Sequence, residues 1–380
     1  LFFTCLLFLS ASLPEVRSAE PTRLPHAQAA EVGMNPQRLS EIDFVVERGL
    51  ARDSMPGALV LVGYQGKIVF LKAYGYRQVK PEKRAMTTDT VFDLASLTKP
   101  IATATSVMKL VEQGKLKLSD PVSKYIPEFA VNGKQDITIY QLLTHQGGLI
   151  PDNSIKDYLD GPETAMQKIY ALKLYYEPGT RFAYTDVGFI LLGDIVKRIS
   201  GDSVHEFSQK NVFQPLGMQE TGYLPADELK QRAATTQERD GHWMQGEVHD
   251  PRAYRLGGVA GHAGLFSTAE DLAVYAQMML NQGSQNGTRV LKPETIDLMT
   301  RGYPVVDDIR GLGWDSLSRY SSNRGDLFSP RAFGHGGFTG TAIWMDPAQD
   351  LFVIFLSNRV HPDGKGSVNS LAGRIGTIAA

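Results

Sequence analysis

The sequence has almost no cysteine and no excess of charge of either sign. Its 380 residues contain one cysteine, 39 lysines and arginines, and 41 aspartates and glutamates. A single thiol excludes a disulfide framework and zinc sites built from cysteine pairs. The even charge gives no basis for predicting nucleic acid or an acidic membrane surface as a partner. With no repeat of fixed period, the chain is expected to form one large domain or two lobes.

Long hydrophobic runs are also scarce, and the longest lies at the start of the chain. Residues Leu1 to Leu13 are almost wholly apolar, which is too short a stretch to span a bilayer. Small residues follow, so residues 1–18 are predicted to be an N-terminally truncated secretory signal that ends at Ser18 or Ala19. The alternative is a buried N-terminal strand or helix. Cleavage would remove Cys5, leave no stable membrane span, and place the protein in the periplasm or outside the cell.

The strongest chemical signal is the stretch FDLASLTKP, residues 92–100. An extended run is predicted to lead into a helix that begins near Ser96, with Pro100 in its first turn. Lys99, three residues after Ser96, then rises on the same face. A hydroxyl, an amine and a helix N-terminus in one place suit covalent acyl transfer.

Ser-x-x-Lys is a weak signal by itself, since about one chance match is expected in a chain of this length. This chain contains a second copy, Ser106-Val107-Met108-Lys109. It falls inside the predicted helix, where Ser106 is expected to be a surface or half-buried serine without catalytic geometry. The assignment of Ser96 therefore depends on partners elsewhere.

Two further clusters could supply those partners. Tyr184-Thr185-Asp186 precedes an apolar helix, and a tyrosine there can carry a proton beside a lysine. The alternative is a packed ring, with Asp186 as the helix N-cap. His335-Gly336-Gly337 precedes an apolar strand and is predicted on or beside a sheet edge that a substrate could approach. The alternative is a bulged strand with an incidental histidine.

Strand patterns occur near both ends of the chain and helical patterns between them. Two β-rich runs flank Gln65-Gly66-Lys67, and two more cover residues 341–345 and 351–357. The sequence therefore predicts an α+β fold, in which an antiparallel sheet built from both termini is flanked by helices. Within the domain 19–380, a sheet lobe is expected at about 19–95 and 300–380, and a helical lobe at about 96–299. The site is expected in the cleft between them.

Two other groups are predicted to be structural. Gly201-Asp202-Ser203-Val204 resembles the start of a GDS-type lipase motif, but it is interpreted as a helix C-cap followed by an N-cap. His249-Asp250 and His262 could approach each other, and loop structure is favoured over a metal site.

The motifs Ser-x-x-Lys, Tyr-x-Asp and His-Gly-Gly occur in this order, with the phrases QLLTH (residues 141–145) and GHAGLFST (residues 261–268) between them. From about Leu39 to Pro362 the chain resembles the serine β-lactamase and penicillin-binding-protein family. It is most similar to the branch of class C β-lactamases, D-Ala-D-Ala carboxypeptidases and family VIII carboxylesterases. The resemblance implies the β-lactamase/transpeptidase-like fold. It also implies acyl-enzyme hydrolysis of ester, amide or peptide bonds, a small-molecule or peptidoglycan-peptide substrate, and neither cofactor nor metal.

The resemblance also implies roles for single residues. Ser96 would be the nucleophile, Lys99 its base partner, and Tyr184 the proton carrier to the leaving group. The oxyanion hole would consist of the backbone N–H groups of Ser96 and Phe338. Substrate would be bound by Asp186, His335, Gly336 and Gly337.

The chain departs from the β-lactamase pattern twice. His335-Gly336-Gly337 stands where Lys-Thr-Gly is usual, and Asp186 stands where Asn is usual. Binding of a carboxylate by His335 should then strengthen only as it protonates, below about pH 6.5. For Lys99 to act as a base, burial must lower its pKa. These departures favour a peptidase-like or esterase-like enzyme. A true β-lactamase and a non-catalytic penicillin-binding sensor are the alternatives.

Overall fold

A computed structural model describes residues 23–380. The predicted signal segment, residues 1–18, and Cys5 lie outside this range. The described α-helices are α1 (Pro36–Ala51), α2 (Thr105–Glu112), α3 (Ile139–Leu143), α4 (Pro162–Tyr170), α5 (Asp186–Ser200), α6 (Val204–Ser208), α7 (Asp227–Arg232), α8 (Pro251–Arg255), α9 (Ala269–Leu280), α10 (Pro293–Thr300) and α11 (Asn369–Ala379).

The described strands are β1 (Gly57–Tyr64), β2 (Lys67–Gln78), β3 (Arg84–Ala85), β4 (Phe92–Asp93), β5 (Gly222–Tyr223), β6 (Thr235–Arg239), β7 (His242–Gln245), β8 (Leu265–Ser267), β9 (Ser284–Gln285), β10 (Thr288–Arg289), β11 (Tyr303–Val305), β12 (Asp308–Arg310), β13 (Asp315–Leu317), β14 (Phe333–Gly337), β15 (Thr341–Asp346) and β16 (Leu351–Ser357).

Nine of these strands form one antiparallel sheet that joins the two ends of the chain. Its order is β11-β12-β13-β14-β15-β16-β1-β2-β3. The predicted hairpin is present, since β1 and β2 flank a turn in which Gln65 and Gly66 both have positive φ. β1 also pairs with β16, from Ala58 opposite Ser357 to Tyr64 opposite Leu351. The prediction of an antiparallel sheet built from both termini is therefore confirmed.

Alternate residues of the central strands enter two separate cores, as the two-residue period of a strand requires. Leu59 and Leu61 of β1 pack into the larger core, with helices from the middle of the chain. Val60 and Val62 point to the opposite face and pack against α1 and α11. All four are fully buried, so β1 is covered on both faces. No helix within residues 23–380 combines the length and apolar character needed to cross a bilayer.

Side-chain caps and a terminal glycine set several helix boundaries. Asn35 caps α1 through its side chain, and the helix ends at Ala51. Gly201 ends α5 in the left-handed conformation, and Ser203 caps α6, as the structural interpretation of the Gly201-Asp202-Ser203-Val204 motif predicted. α9 begins after Thr268, whose hydroxyl accepts the N–H of Asp271.

Two local features position the site. β4 pairs with β8, and this fixes the chain just before Ser96. β14 is an interior strand rather than the predicted sheet edge, because it lies between β13 and β15. It pairs with β15 along its whole length, but with β13 only at Gly334. The β13-facing side of His335, Gly336 and Gly337 is therefore left open to a ligand.

Candidate active site

Ser96 lies in a tight turn rather than at the start of a regular helix. A 3₁₀ turn covers Ala95–Leu97, a π-helical turn covers Lys99–Ala104, and α2 begins only at Thr105. The predicted helix start near Ser96 is confirmed in position, but the first turns are 3₁₀ and π-helical rather than α-helical. The predicted juxtaposition holds, because Lys99 Nζ donates to Ser96 Oγ over 3.0 Å.

The turn before Ser96 is strained and is held by a buried carboxylate. Ala95 has φ +47°, a conformation that costs energy in any residue but glycine. Asp93 Oδ1 accepts the N–H of Ala95 over 2.8 Å, and its Oδ2 accepts the N–H of His249 over 2.6 Å. Burial raises the pKa of Asp93 to about 6, against the lowering effect of these two hydrogen bonds. Sequence reasoning did not identify Asp93.

Lys99 is a fully buried ammonium group. Its Nζ also donates to the carbonyl of His262 over 3.1 Å and lies 2.6 Å from Asp186 Oδ1. Burial lowers the pKa of Lys99, but the charge and hydrogen bond of Asp186, together with Tyr184, raise it by more, so the pKa lies above its ordinary value. The expected lowering is therefore wrong, because the sequence could not show that Asp186 reaches the amine.

Asp186 contacts Lys99 and does not cap its own helix. Thr185 is the N-cap of α5, since its hydroxyl accepts the N–H of Gly188 over 3.4 Å. Asp186 is the first helical residue, where a negative charge is favoured by the helix dipole. The alternative of an Asp186 N-cap is thus wrong, and its expected contact with substrate stays a prediction, because Asp186 is not among the residues that line the pocket.

Tyr184 is a half-buried, neutral phenol beside this ion pair, and its hydroxyl oxygen is buried. Its ring centroid lies 5.0 Å from Lys99 Nζ and 4.5 Å from the ring of His145, on which it stacks. Burial raises the pKa of Tyr184 more than the charge of Lys99 lowers it, so a resting phenolate is not favoured. Its hydroxyl makes no hydrogen bond of good geometry within the described chain, although Ser96 and Lys99 are close enough to lower its pKa.

His145 orients this tyrosine, a role that sequence reasoning missed. It is fully buried, and its Nδ1 accepts the N–H of Thr185 over 3.1 Å. The imidazole therefore fixes the backbone next to Tyr184 while its ring supports the phenol. The only sequence signal was that His145 ends the phrase QLLTH.

His335 presents a neutral imidazole with one unpaired nitrogen. Its Nδ1 is 2.7 Å from the carbonyl of Gly336, which can only accept, so Nδ1 carries the proton. Nε2 then holds the lone pair and is buried without a hydrogen-bond partner in residues 23–380. Burial lowers the pKa of His335 well below its ordinary value, helped by the positive charges of Arg310 and Lys99. Protonation near pH 6.5, expected from the sequence, is therefore wrong.

Strand β14 and the nucleophile turn are joined side by side. Thr339 Oγ1 donates to the carbonyl of Asp93 over 2.7 Å, and Thr341 Oγ1 donates to that of Leu94 over 3.1 Å. A Cβ at Gly337 would collide with Thr341 Oγ1 and with the Leu94 carbonyl oxygen. Gly337 is thus required for close backbone approach, as the glycine-rich motif suggested.

A pocket of about 350 Å³ opens above Ser96. The predicted residues that line it are Ser96, Tyr184, His335, Gly336, Gly337 and Phe338. The Phe338 side chain is 61% exposed and lies at this pocket, so its backbone N–H stays a predicted oxyanion donor. Sequence reasoning missed several other lining residues, which include Arg310, Asp315, Tyr320, Asn323 and Arg359. Arg310 is fully buried and pairs with Asp315 over 3.3 Å.

One cluster behind the pocket has the composition of a metal site. Ligand atoms of Asp186, Asp250 and His262 all lie within 4.8 Å of one another. His262 Nε2 is 2.9 Å from Asp250 Oδ1, so the predicted approach of these residues is confirmed. The same Asp250 oxygen accepts two N–H groups at the start of α8, and Lys99 neutralises Asp186. Both carboxylates therefore already have partners from the protein, which fits the structural interpretation.

The chain is similar to known proteins over nearly its whole length. The family model described as Beta-lactamase matches residues 42–375. The N-acetylmuramyl-L-alanine amidase of Bacillus subtilis is 34% identical, over 94% of this chain and 90% of the relative. An Escherichia coli K12 protein named as a candidate D-alanyl-D-alanine carboxypeptidase is 32% identical, over 95% and 91%.

Solved structures share the fold. The hydrolase EstCE1 superposes with a TM-score of 0.73 at 22% identity, covering 90% of this chain and 98% of that one. A family VIII carboxylesterase gives 0.70 at 22% identity, covering 90% and 96%. The predicted fold and family are thus confirmed, and the chain belongs to the β-lactamase family of serine hydrolases.

Proposed function

We propose that Ser96 attacks an amide or ester bond of a peptidoglycan-derived peptide and passes through an acyl-enzyme. The observation that carries this proposal is the 3.0 Å contact between Ser96 Oγ and the buried Lys99 ammonium, at a pocket that Tyr184 and His335 also line. The names of the Bacillus and Escherichia relatives support a cell-wall amide as substrate. We extend the proposal to a signal segment at 1–18, a periplasmic or secreted location, and a site between a sheet lobe (19–95, 300–380) and a helical lobe (96–299).

The charge states support a division of roles that differs from the one the motifs implied. Lys99 keeps its proton because Asp186 raises its pKa, so it acts as a fixed cation rather than as the resting base. His335 stays neutral because its pKa is lowered, and its unpaired Nε2 is the nitrogen that we propose accepts the proton in the pocket. Tyr184, whose ring lies 5.9 Å from that of His335, is proposed to relay the serine proton toward this imidazole.

In the proposed reaction, the Ser96 oxygen bonds to the substrate carbonyl carbon as its proton leaves by this route. The negative charge that develops on the carbonyl oxygen is stabilised by the backbone N–H groups of Ser96 and Phe338. The same proton then passes to the departing amine or alcohol, and that bond breaks. Water completes the cycle by hydrolysing the ester on Ser96.

The proposal is tested by intact-protein mass spectrometry. The protein is incubated with N-acetylmuramyl-L-alanyl-D-glutamate, a D-Ala-D-Ala peptide, p-nitrophenyl butyrate and nitrocefin, and the adduct is mapped. We expect an acyl adduct on Ser96 from at least one of the first three compounds, with release of the matching product. If Ser96 is acylated only by nitrocefin and turns it over rapidly, a true β-lactamase is the better assignment. One slow adduct without turnover from any compound indicates a sensor.

The role of His335 has its own test. His335→Gln removes the basic nitrogen while keeping a polar side chain, so acylation should slow by about 10²-fold or more. Because His335 is already neutral at pH 7, its titration should not lower the wild-type acylation rate as pH decreases through 6.5. An acid limb that starts at pH 6.5 and disappears in His335→Gln would contradict the proposed neutral imidazole.

A further inference from the structure

A second cavity, with a cationic lining, adjoins the catalytic pocket. Its volume is about 310 Å³, and it lies between the C-terminal part of α1 and the start of α11. We call it the arginine groove and define it by its polar lining residues, which are Arg48, Arg52, Ser54, Ser367, Ser370 and Arg374. No acidic side chain lines it.

The three arginines are unneutralised. Arg48 lies 5.4 Å from the ring of Phe44, and within residues 23–380 neither it, Arg52 nor Arg374 forms an ion pair or a side-chain hydrogen bond. Glu47 and Asp53 are neighbours in sequence, but they do not line the groove. In a chain with 39 basic and 41 acidic residues, three free guanidinium groups at one cavity are a concentrated positive charge.

The groove and the catalytic pocket share part of their lining just before α11. Ser367 lines both cavities. Val368 and Asn369 line the catalytic pocket, while Ser370 and Leu371 line the groove. One short segment therefore contributes to the lining of both cavities, which places the groove next to the catalytic pocket.

We infer that the arginine groove binds carboxylates of the substrate peptide beyond the bond that is cleaved. This inference rests on the proposed function and adds a ligand class, an acidic peptide. Guanidinium groups bind carboxylates through paired N–H donors, and the serine hydroxyls can donate to the remaining oxygens. A peptide with two or more carboxylates fits this lining, whereas a neutral ester gains nothing from it.

The test compares two substrates that differ only in charge, N-acetylmuramyl-L-alanyl-D-glutamate and its diamide. The variant is Arg48→Gln/Arg52→Gln/Arg374→Gln. The matched control is Arg255→Gln/Arg301→Gln/Arg331→Gln, which removes the same charge from three other exposed arginines that form no ion pair in the described chain. We expect the ratio of kcat/KM for the acid to that for the diamide to fall about tenfold in the groove variant, mainly through KM. The control should keep the wild-type ratio.

A binding titration separates this inference from the proposed function. In a Ser96→Ala background, calorimetry should show the acid binding more weakly to the groove variant than to the control, with a difference that shrinks at high salt. If the parent protein hydrolyses neither substrate, the proposed function fails. The titration alone then decides whether the arginine groove binds carboxylates. Equal affinity in the two variants, or no binding to the Ser96→Ala parent, overturns the inference.

Discussion

Two copies of Ser-x-x-Lys lie ten residues apart in this chain and have opposite surroundings. Ser96 is half-buried at a pocket, and its hydroxyl accepts from Lys99. Ser106 is fully buried within α2, and its hydroxyl donates to the carbonyl of Ala102 over 2.6 Å. Lys109 donates to the carbonyl of Val290 over 2.6 Å, away from catalysis. The predicted surface or half-buried Ser106 is thus corrected to a core residue.

The difference shows that the motif is made reactive by the residues before it. Asp93, three positions before Ser96, holds Ala95 in the left-handed conformation, which stops the chain from entering a helix directly. Thr103, three positions before Ser106, instead donates to the carbonyl of Gly261 and lies in the π-helical turn that leads directly into α2. A serine inside a helix donates its hydroxyl to a backbone carbonyl of the preceding turn.

The largest effect should separate the two serines. Ser96→Ala removes the group proposed to form the covalent bond, so acylation should fall by about 10⁴-fold or more. Ser106→Ala should change the acylation rate less than about twofold and stability by about 1 kcal/mol, since only a buried hydrogen bond is lost. Acylation is measured by intact-protein mass spectrometry after incubation with an ester. Stability is measured by urea unfolding. Loss of acylation in Ser106→Ala alone would reverse the assignment.

The next effect concerns Asp186, the carboxylate that pairs with Lys99 of the first Ser-x-x-Lys copy. Asp186→Asn removes the charge that raises the pKa of Lys99 and leaves the burial that lowers it. The wild-type kcat/KM should be nearly flat from pH 7 to 9, whereas the kcat/KM of the variant should fall about tenfold as Lys99 loses the positive charge on which its proposed role depends. Asp194→Asn on the same helix, where Asp194 pairs with Arg198, is the control. A rising wild-type profile that Asp186→Asn leaves unchanged would contradict the assigned charge state.

A smaller effect is expected from the carboxylate beneath the strained turn. Asp93→Asn keeps one acceptor oxygen and turns an N–H donor toward a backbone N–H, so kcat should fall about fivefold at pH 7 with little change in KM. Wild-type kcat should also decrease as Asp93 protonates below about pH 6. The variant should lack this limb. Asp271→Asn is the control, because Asp271 is buried with a pKa of about 6 but does not line the pocket.

Comparison of wild type with Asp93→Asn also tests this titration through stability. The stability difference should rise as pH decreases, whereas kcat should fall. Because the pKa of folded Asp93 is above 3.8, its contribution to stability is present at low pH and lost as pH rises through about 6. Unfolding free energy of wild type relative to Asp93→Asn should therefore increase between pH 7 and pH 5. No change over this range would show that Asp93 is not titrating there.

The smallest effect tests the second lysine. Lys109→Met removes a half-buried donor to the Val290 carbonyl, so the free energy of unfolding should fall by about 1 kcal/mol. Acylation of Ser96 should stay within about twofold of wild type. A loss of acylation beyond tenfold with unchanged stability would mean that Lys109 takes part in the chemistry.

Sequence patterns predicted the backbone well because they report local physics. The hairpin at Gln65 and the cap at Gly201 follow from neighbouring residues. The three motifs and the family resemblance also identified six of the fifteen residues that line the pocket. Charge states could not be predicted, because they depend on contacts across the fold. Lys99 meets Asp186, and His335 lies near Arg310, only once the elements have packed.

The pairing of β1 with β16 has a consequence for how the molecule folds. Ala58 lies opposite Ser357, so the central pair of strands closes a loop of about three hundred residues. During synthesis, β1 and β2 can form their hairpin early, but β16, the other neighbour of β1, is made about three hundred residues later. Until then the β1 edge exposes unpaired backbone groups, a template for aggregation. We therefore expect slow folding and a chain that depends on chaperones until β16 has emerged.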